Sequence, residues 1–176
     1  ALWIHGASVG EIRAALPLLD LARAAGHRVV ASTTTLTGRD TLQRERPDLP
    51  ATLAPLDHPW CVSAALARVR PRALVRVETE LWPCWITAAA ARGVPVVVVS
   101  GRLSERSLPR YRRLLPLLGP ALSRLAAVGA RSAEDAARFA ALRIPADRIE
   151  VTGDLQLEPS GGTPALAPDL AKALGS

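Results

Sequence analysis

Short apolar runs alternate along the chain with longer stretches whose apolar positions recur at helical spacing, one pair for roughly every 25 residues. That rhythm belongs to βαβ units around a parallel sheet, and it predicts the α/β class. Strands are expected at Leu2–His5, Arg28–Thr34, Ala51–Leu56, Ala73–Glu78, Pro95–Ser100, Ala126–Gly129 and Ile149–Thr152. Helices are expected near Glu11–Ala25, Thr37–Glu45, Pro59–Arg70, Trp82–Arg92, Ser107–Leu125 and Ala133–Leu142. Pro17 and Pro116 fall inside two of these spans, where a proline kinks or shortens a helix. Gly26, Pro71, Gly93 and a Ser132 cap mark ends, with Asp135 completing a variant capping box. After Gly153 the pattern dissolves. The stretch that follows is rich in Pro, Gly and small side chains, so residues 1–158 read as one domain and 159–176 as a linker toward another.

Composition narrows the picture. With 176 residues, 49% of them hydrophobic and 22% charged, the chain can bury a substantial core. Its apolar mass is Ala, Leu and Val, which suits helices packed on a Val-rich buried sheet. The formal charge of +6 is carried almost wholly by arginine, Lys172 being the single lysine. Such a bias follows from genome base composition or, if functional, points to phosphorylated partners or an anionic membrane surface. Nucleic acid is disfavoured as a partner, because aromatics for stacking are few, at 3%, and the arginines are spread along the chain. Cys61 and Cys84 form no CxxC pair and read as buried thiols in a reducing cytoplasm. His5, His27 and His58 are too scattered to suggest a metal site, so none is expected. No apolar run reaches the ~18 residues of a membrane span, and no anchor or signal peptide is visible. Because the chain opens directly in a strand and closes in a linker, it is expected to be one domain of a longer polypeptide.

The most informative stretch is Ala7-Ser8-Val9-Gly10-Glu11-Ile12-Arg13, where the first strand hands over to a helix. Open α/β sheets keep their chemistry at such junctions. Gly10 would let the backbone turn tightly and pass close to a ligand, and Ser8 would cap the helix. Glu11 then lies in the first helical turn. A carboxylate there is either a plain helix-start residue favoured by the macrodipole or a general base aimed into a cleft, and spacing leaves both readings open. Glu78 and Glu80, two apart on an extended segment, would share a face and are candidates for pairing with Arg76 or Arg102. Trp82, Pro83 and Trp85 read as opening and burying the next helix rather than binding a ligand. Arg102, Arg106, Arg110, Arg112 and Arg113 are interleaved with Leu103, Leu108, Leu114 and Leu115. That mixture fits a solvated helix face or an interface with anionic lipid.

Six blocks in order carry a family resemblance. Ala1-Leu2-Trp3-Ile4-His5 with Ala7-Ser8-Val9-Gly10-Glu11, Ser32-Thr33-Thr34-Thr35 with Thr37-Gly38, and Val77-Glu78-Thr79-Glu80-Leu81-Trp82-Pro83 resemble the amino-terminal domain of bacterial Kdo transferase. Gly101-Arg102-Leu103-Ser104-Glu105-Arg106-Ser107, Arg131-Ser132-Ala133-Glu134-Asp135 and Val151-Thr152-Gly153-Asp154-Leu155 continue the match. The resemblance implies a Rossmann-like parallel sheet with helices on both faces, the amino-terminal half of a glycosyltransferase-B fold. It implies transfer of 3-deoxy-D-manno-octulosonic acid (Kdo) from CMP-Kdo to a lipid A precursor in lipopolysaccharide assembly. On this reading Glu11 is the general base, Glu80 a second acidic residue of the site, and Ser8, Gly10, Arg102 and Arg106 contacts for the acceptor. CMP-Kdo is a co-substrate held by a second domain absent from this chain, so no cofactor is implied and the chain alone would be inactive. Its partners would be the lipid A precursor and the anionic surface of the inner membrane, at whose cytoplasmic face the parent enzyme works, peripherally or through an anchor absent here. The alternatives are another glycosyltransferase-B enzyme with a different nucleotide sugar, and a non-catalytic membrane-surface domain.

Overall fold

A computed structural model describes residues 1–78 and 81–155. In chain order the elements are β1 (Leu2–His5), α1 (Val9–Ala24), β2 (Val29–Thr33), α2 (Leu36–Glu45), β3 (Ala51–Leu53), α3 (Pro59–Val69) and β4 (Ala73–Val77). Then follow α4 (Pro83–Ala90), β5 (Val96–Gly101), α5 (Leu108–Arg113), α6 (Leu115–Leu122), β6 (Ala127–Ala130), α7 (Ala133–Ala140) and β7 (Ile149–Val151). The strands form one parallel sheet in the order β3-β2-β1-β4-β5-β6-β7.

Parallel neighbours need crossover connections, and the helices that supply them cover both faces. On one face Leu2, Ile4, Val29, Val75 and Val97 meet Ile12, Ala15 and Leu19 of α1 and Leu42 of α2. On the other, Trp3, Leu74, Val96, Val98 and Val128 lie under α3, α4, α6 and α7, through Leu66, Trp85, Leu122 and Phe139 among others. Burial on both sides is why the Val96–Val99 run is apolar at every position rather than at alternate ones. The chain runs from β1 outward to β3, then returns through α3 to place β4 on the other side of β1. β1 and β4 are therefore the topological switch point, where the connections at the carboxyl ends of the strands part and leave a crevice.

All seven expected strands form, with ends shifted by a few residues. The expected helix Ser107–Leu125 is instead two, α5 and α6, broken at Leu114. Pro116 explains the break: it lacks the N–H a continuous helix would need and sits at the start of α6, where that N–H has no role. Pro17 leaves α1 unbroken, on its exposed side. Glu78 adopts φ +61°, so β4 ends at Val77, one residue short of the expected end. Cys61 is exposed and Cys84 half-buried at the margin of the core, against the expectation of two buried thiols. Glu80 and the expected linker at 159–176 lie outside the described residues.

Where the regular pattern ends, the chain is still fastened. Asp154 pairs with Arg131 at 2.6 Å and accepts a hydrogen bond from Ser100 Oγ at 3.2 Å, which holds the segment after β7 against the carboxyl ends of β5 and β6. Leu19, fully buried between α1 and the sheet, gives a direct test of the core. Leu19→Ala is expected to lower the unfolding free energy by about 2–5 kcal/mol, read as a fall in the urea midpoint with unchanged m-value.

Candidate active site at the sheet switch point

β1 delivers the chain to the switch point at His5, and a three-residue turn, Gly6 to Ser8, starts α1. The turn is tight because Gly6 packs on the backbone of Glu11: a Cβ there would lie 3.0 Å from the Glu11 carbonyl carbon. Ser8 is the N-cap, its Oγ accepting the Glu11 N–H at 3.3 Å. Glu11 answers with both carboxylate oxygens, Oε2 accepting the Ala7 N–H at 2.6 Å and Oε1 accepting the Ser8 hydroxyl at 3.1 Å. This is a capping box whose return bond reaches one residue further back than usual. The Ala7 carbonyl is held in turn by Thr33 Oγ1 at 3.0 Å and the Thr34 N–H at 3.3 Å, which ties the turn to the end of β2.

Gly10 does not make the turn expected of it. It is the second residue of α1, exposed and with helical neighbours, and the glycine demanded by close approach is Gly6. Ser8 is exposed and Glu11 half-buried, so the cap is open to solvent at this end of β1.

Beneath the start of α4 the packing at the end of β4 is aromatic and charged. Arg76 has 0% exposure, and its guanidinium lies 4.9 Å from the ring centre of Trp82 and 5.0 Å from that of Trp85. The β1–β4 register sets His5 opposite Arg76. His5 also has 0% exposure and packs against both tryptophans, while its Nδ1 lies 2.9 Å from Ser32 Oγ, which accepts the Trp3 indole N–H at 2.8 Å. Burial, and then the positive charge of Arg76, push the His5 pKa down to about 3, partly opposed by a bond to Ser32. The imidazole is therefore neutral at physiological pH. As expected, Pro83 opens α4 and Trp85 is buried beneath it. Helix α4 has no cap of its own. Asp57, from the β3–α3 connection, supplies one by accepting the Trp85 N–H at 3.2 Å. Partial burial raises the Asp57 carboxyl, and burial together with Asp57 raises the Cys84 thiol.

Arg102 and Arg106 are both exposed, on the connection that leaves β5. That connection is held from behind: the buried Asp135 accepts the Leu103 N–H at 2.9 Å, and Arg138 donates to the Leu103 carbonyl at 3.2 Å. Asp135 thus does more than the expected cap of α7, where Ser132 Oγ accepts its N–H at 3.2 Å. Glu80 lies outside the described residues, so its place relative to Glu11 is not described. Sequence reasoning passed over His5 and Arg76 as parts of the site. The available signal was a basic residue inside each of two strands otherwise built for complete burial. Among the described residues no group of His, Cys, Asp and Glu is placed to hold a metal ion, and no helix is long and apolar enough to cross a membrane.

Residues 1–158 match the family model of the 3-deoxy-D-manno-octulosonic-acid transferases (kdotransferases). The chain belongs to this family. It is 37% identical over 163 residues to the 3-deoxy-D-manno-octulosonic acid transferase of Bordetella pertussis, covering 89% of this chain and 38% of that protein. The Haemophilus influenzae transferase is 32% identical over 160 residues, with the same shares covered. The chain thus spans under two fifths of the length of these Kdo transferases. Among solved structures, UDP-GlcNAc 2-epimerase from Neisseria meningitidis bound to UDP-GlcNAc superposes with a TM-score of 0.65 at 13% identity, over 88% of this chain and 47% of that one. MurG from Acinetobacter baumannii gives 0.57 at 14%, over 90% and 45%. These likenesses establish the fold: the Kdo transferase domain has the architecture of about half of each of these structures.

The neutral, buried His5 makes acid stability predictable. The unfolded imidazole takes up a proton below about pH 6.5 and the native one only near pH 3, so between these values the unfolded state binds more protons. Stability is full above pH 6.5 and falls as the pH drops, with this residue contributing about 2 kcal/mol of loss between pH 6.5 and pH 5. Urea titrations across that range should show the slope in the wild type and a correspondingly shallower one in His5→Gln.

Proposed function

We propose that this chain is the acceptor-side half of an enzyme that transfers Kdo from CMP-Kdo to a hydroxyl of a lipid A precursor in lipopolysaccharide assembly. The observation that carries the reading is the Glu11 carboxylate, oriented by Ala7 and Ser8 at the switch point of a Kdo transferase domain. An acceptor hydroxyl is a poor nucleophile until a positioned base removes its proton. Glu11 takes that proton while the oxygen bonds to the anomeric carbon and the CMP leaving group departs with the electrons of the broken bond. Glu80 is the second acidic residue, favouring the positive charge that develops on the sugar. Ser8 and Gly10, both exposed beside Glu11, line the path of the acceptor.

Arg102 and Arg106 meet the acceptor's phosphates. The ridge beyond them, with exposed Arg110, Arg112 and Arg113 beside exposed Leu114 and Leu117, suits the anionic surface of the bacterial inner membrane at its cytoplasmic face. CMP-Kdo, with one phosphate, is met by helix amino termini and basic side chains without a metal, chiefly in a second domain reached through residues 159–176. This half alone does not turn over.

The capping box favours a second reading as well, in which Glu11 is only a helix start in a non-catalytic domain at the membrane surface. Glutamine separates the two, because its side-chain oxygen can still accept the Ala7 N–H. In the two-domain enzyme Glu11→Gln is expected to lower kcat for Kdo transfer to a tetraacyl lipid A precursor by about 10²- to 10⁴-fold, with melting temperature and acceptor binding retained. Normal turnover in that variant would assign Glu11 to capping alone. No transfer by the wild type would reopen the identities of donor and acceptor.

A further inference from the structure

Connections that only join elements run over the surface with few ties to the core. The connection that leaves β5 is tied at several points. Ser100, buried and next to last in the strand, has a left-handed backbone (φ +51°), a conformation that persists only where its surroundings dictate it. The pairing of β5 with β6 shifts register between Val98 and Gly101, and the Gly101 carbonyl accepts the Arg131 N–H at 2.9 Å. A Cβ on Gly101 would lie 3.0 Å from the Phe139 ring of α7, so backbone and ring are in close contact. Two residues on, the Leu103 side chain is buried and α7 bonds both of its backbone groups. Asp135 Oδ1 accepts the N–H at 2.9 Å, and Arg138 Nη1 donates to the carbonyl at 3.2 Å. These two side chains also pair with each other at 3.2 Å. Capping of α7 accounts for the bonds between Ser132 and Asp135 and leaves the grip on Leu103 unexplained.

We propose that Asp135 and Arg138 are positioning residues for acceptor binding: by holding Leu103 through both backbone groups they fix the segment that presents Arg102 and Arg106 to a phosphate on the acceptor, and so set the preference for a phosphorylated acceptor. The inference rests on the functional reading above, in which these two arginines meet the acceptor's phosphates, and adds two residues to it.

Arg102 stands exposed between the anchored Gly101 and Leu103. Arg106 is exposed on the turn that follows, where Ser104 Oγ accepts the Ser107 N–H at 3.2 Å and lies 2.8 Å from Ser107 Oγ. A guanidinium binds phosphate through a rigid fork of N–H groups, so its usefulness depends on where its backbone stands. A segment ordered before the ligand arrives loses less freedom on binding. β1 and β5 are two strands apart in one parallel sheet, about 10 Å at ordinary strand spacing, so the Glu11 turn and this connection leave the same edge. One acceptor can reach both.

Two measurements test the assignment, one independent of activity. In this chain, amide hydrogen exchange reads the anchor. The Leu103 N–H is expected to exchange about 10- to 100-fold faster in Asp135→Ala than in the wild type, and near the wild-type rate in Asp135→Asn, whose amide oxygen still accepts it. The Leu74 N–H, bonded to the Pro95 carbonyl, reports any change in overall stability. In the two-domain enzyme, acceptor KM is measured for the tetraacyl lipid A precursor and for the same lipid with its phosphates removed. Asp135→Ala is expected to raise the KM of the phosphorylated lipid by about 10-fold, with kcat and the KM of the phosphate-free lipid unchanged. Arg138→Met should give a smaller rise of the same kind and Asp135→Asn almost none, while Arg102→Gln/Arg106→Gln sets the size of the full loss. Leu19→Ala, which weakens the fold on the opposite face of the sheet, serves as the control and should leave both KM values unchanged.

The proposal is overturned if the Leu103 amide keeps its protection in Asp135→Ala, if the KM of the phosphorylated lipid stays at the wild-type value, or if both KM values rise together. Should Asp135→Ala fail to fold, Arg138→Met carries the same test at a partly exposed position, a raised KM for the phosphorylated lipid alone supporting the proposal and an unchanged one ending it. A wild type with equal KM for the two lipids would remove the phosphate role of the arginines and the proposal with it. A preference lost in Arg102→Gln/Arg106→Gln but kept in Asp135→Ala would leave that role standing and end the proposal alone.

Discussion

Covering a parallel sheet on both faces leaves little room for polar chemistry except where the strands end, and the organisation of this domain follows from that constraint. β1 and β4 lie side by side at the centre of the order and are apolar until their carboxyl ends, where His5 and Arg76 stand opposite each other. Aromatic and polar side chains gather around that pair. Ser32, on the other side of His5, bridges it to Trp3, and the two tryptophans around α4 enclose the guanidinium. The candidate site thus stands at the end of the central strand pair, and Glu11 lies only a few residues beyond paired backbone.

Helix starts provide the second layer of order. Each leaves backbone N–H groups without partners inside the helix. The domain satisfies them at two ranges of distance. Glu11 and Ser8 serve α1 from within its own first turn, Ser132 does the same for α7, and Asp57 reaches α4 from a different connection. Asp135 adds a tertiary bond to the Leu103 N–H, on the segment that bears Arg102 and Arg106. The carboxylates that organise these segments are thereby drawn toward the carboxyl edge of the sheet.

Much of this was legible beforehand, for identifiable reasons. Strand runs could be read because complete burial forces them to be apolar, and the Ser8 and Ser132 caps because their bonds are local. The break at Leu114 could be placed only loosely, since Pro116 announces an interruption without saying whether the helix bends or restarts. Gly10 drew attention that belonged to Gly6, whose need for a bare backbone arises from packing against Glu11 five residues later. Asp57 capping α4, and Arg76 between two indoles, were not legible because they depend on how separate connections meet in space. The left-handed Glu78 was hidden for the same reason, since nothing in its residue type favours that backbone.

The capping bonds of Glu11, set beside the base role proposed for it, bear on how such chains are read across evolution. Active-site residues often destabilise the proteins that carry them, so a lineage that no longer uses them tends to discard them. Here the carboxylate stabilises the helix start it would also serve as a base, and Gly6 is fixed by contact with its backbone. Selection for folding alone would therefore preserve the Ser-x-x-Glu pattern after catalysis had lapsed. Survival of that pattern is a poor sign that a related chain is a working enzyme, and residues that contribute nothing to the fold are the better markers of a living site.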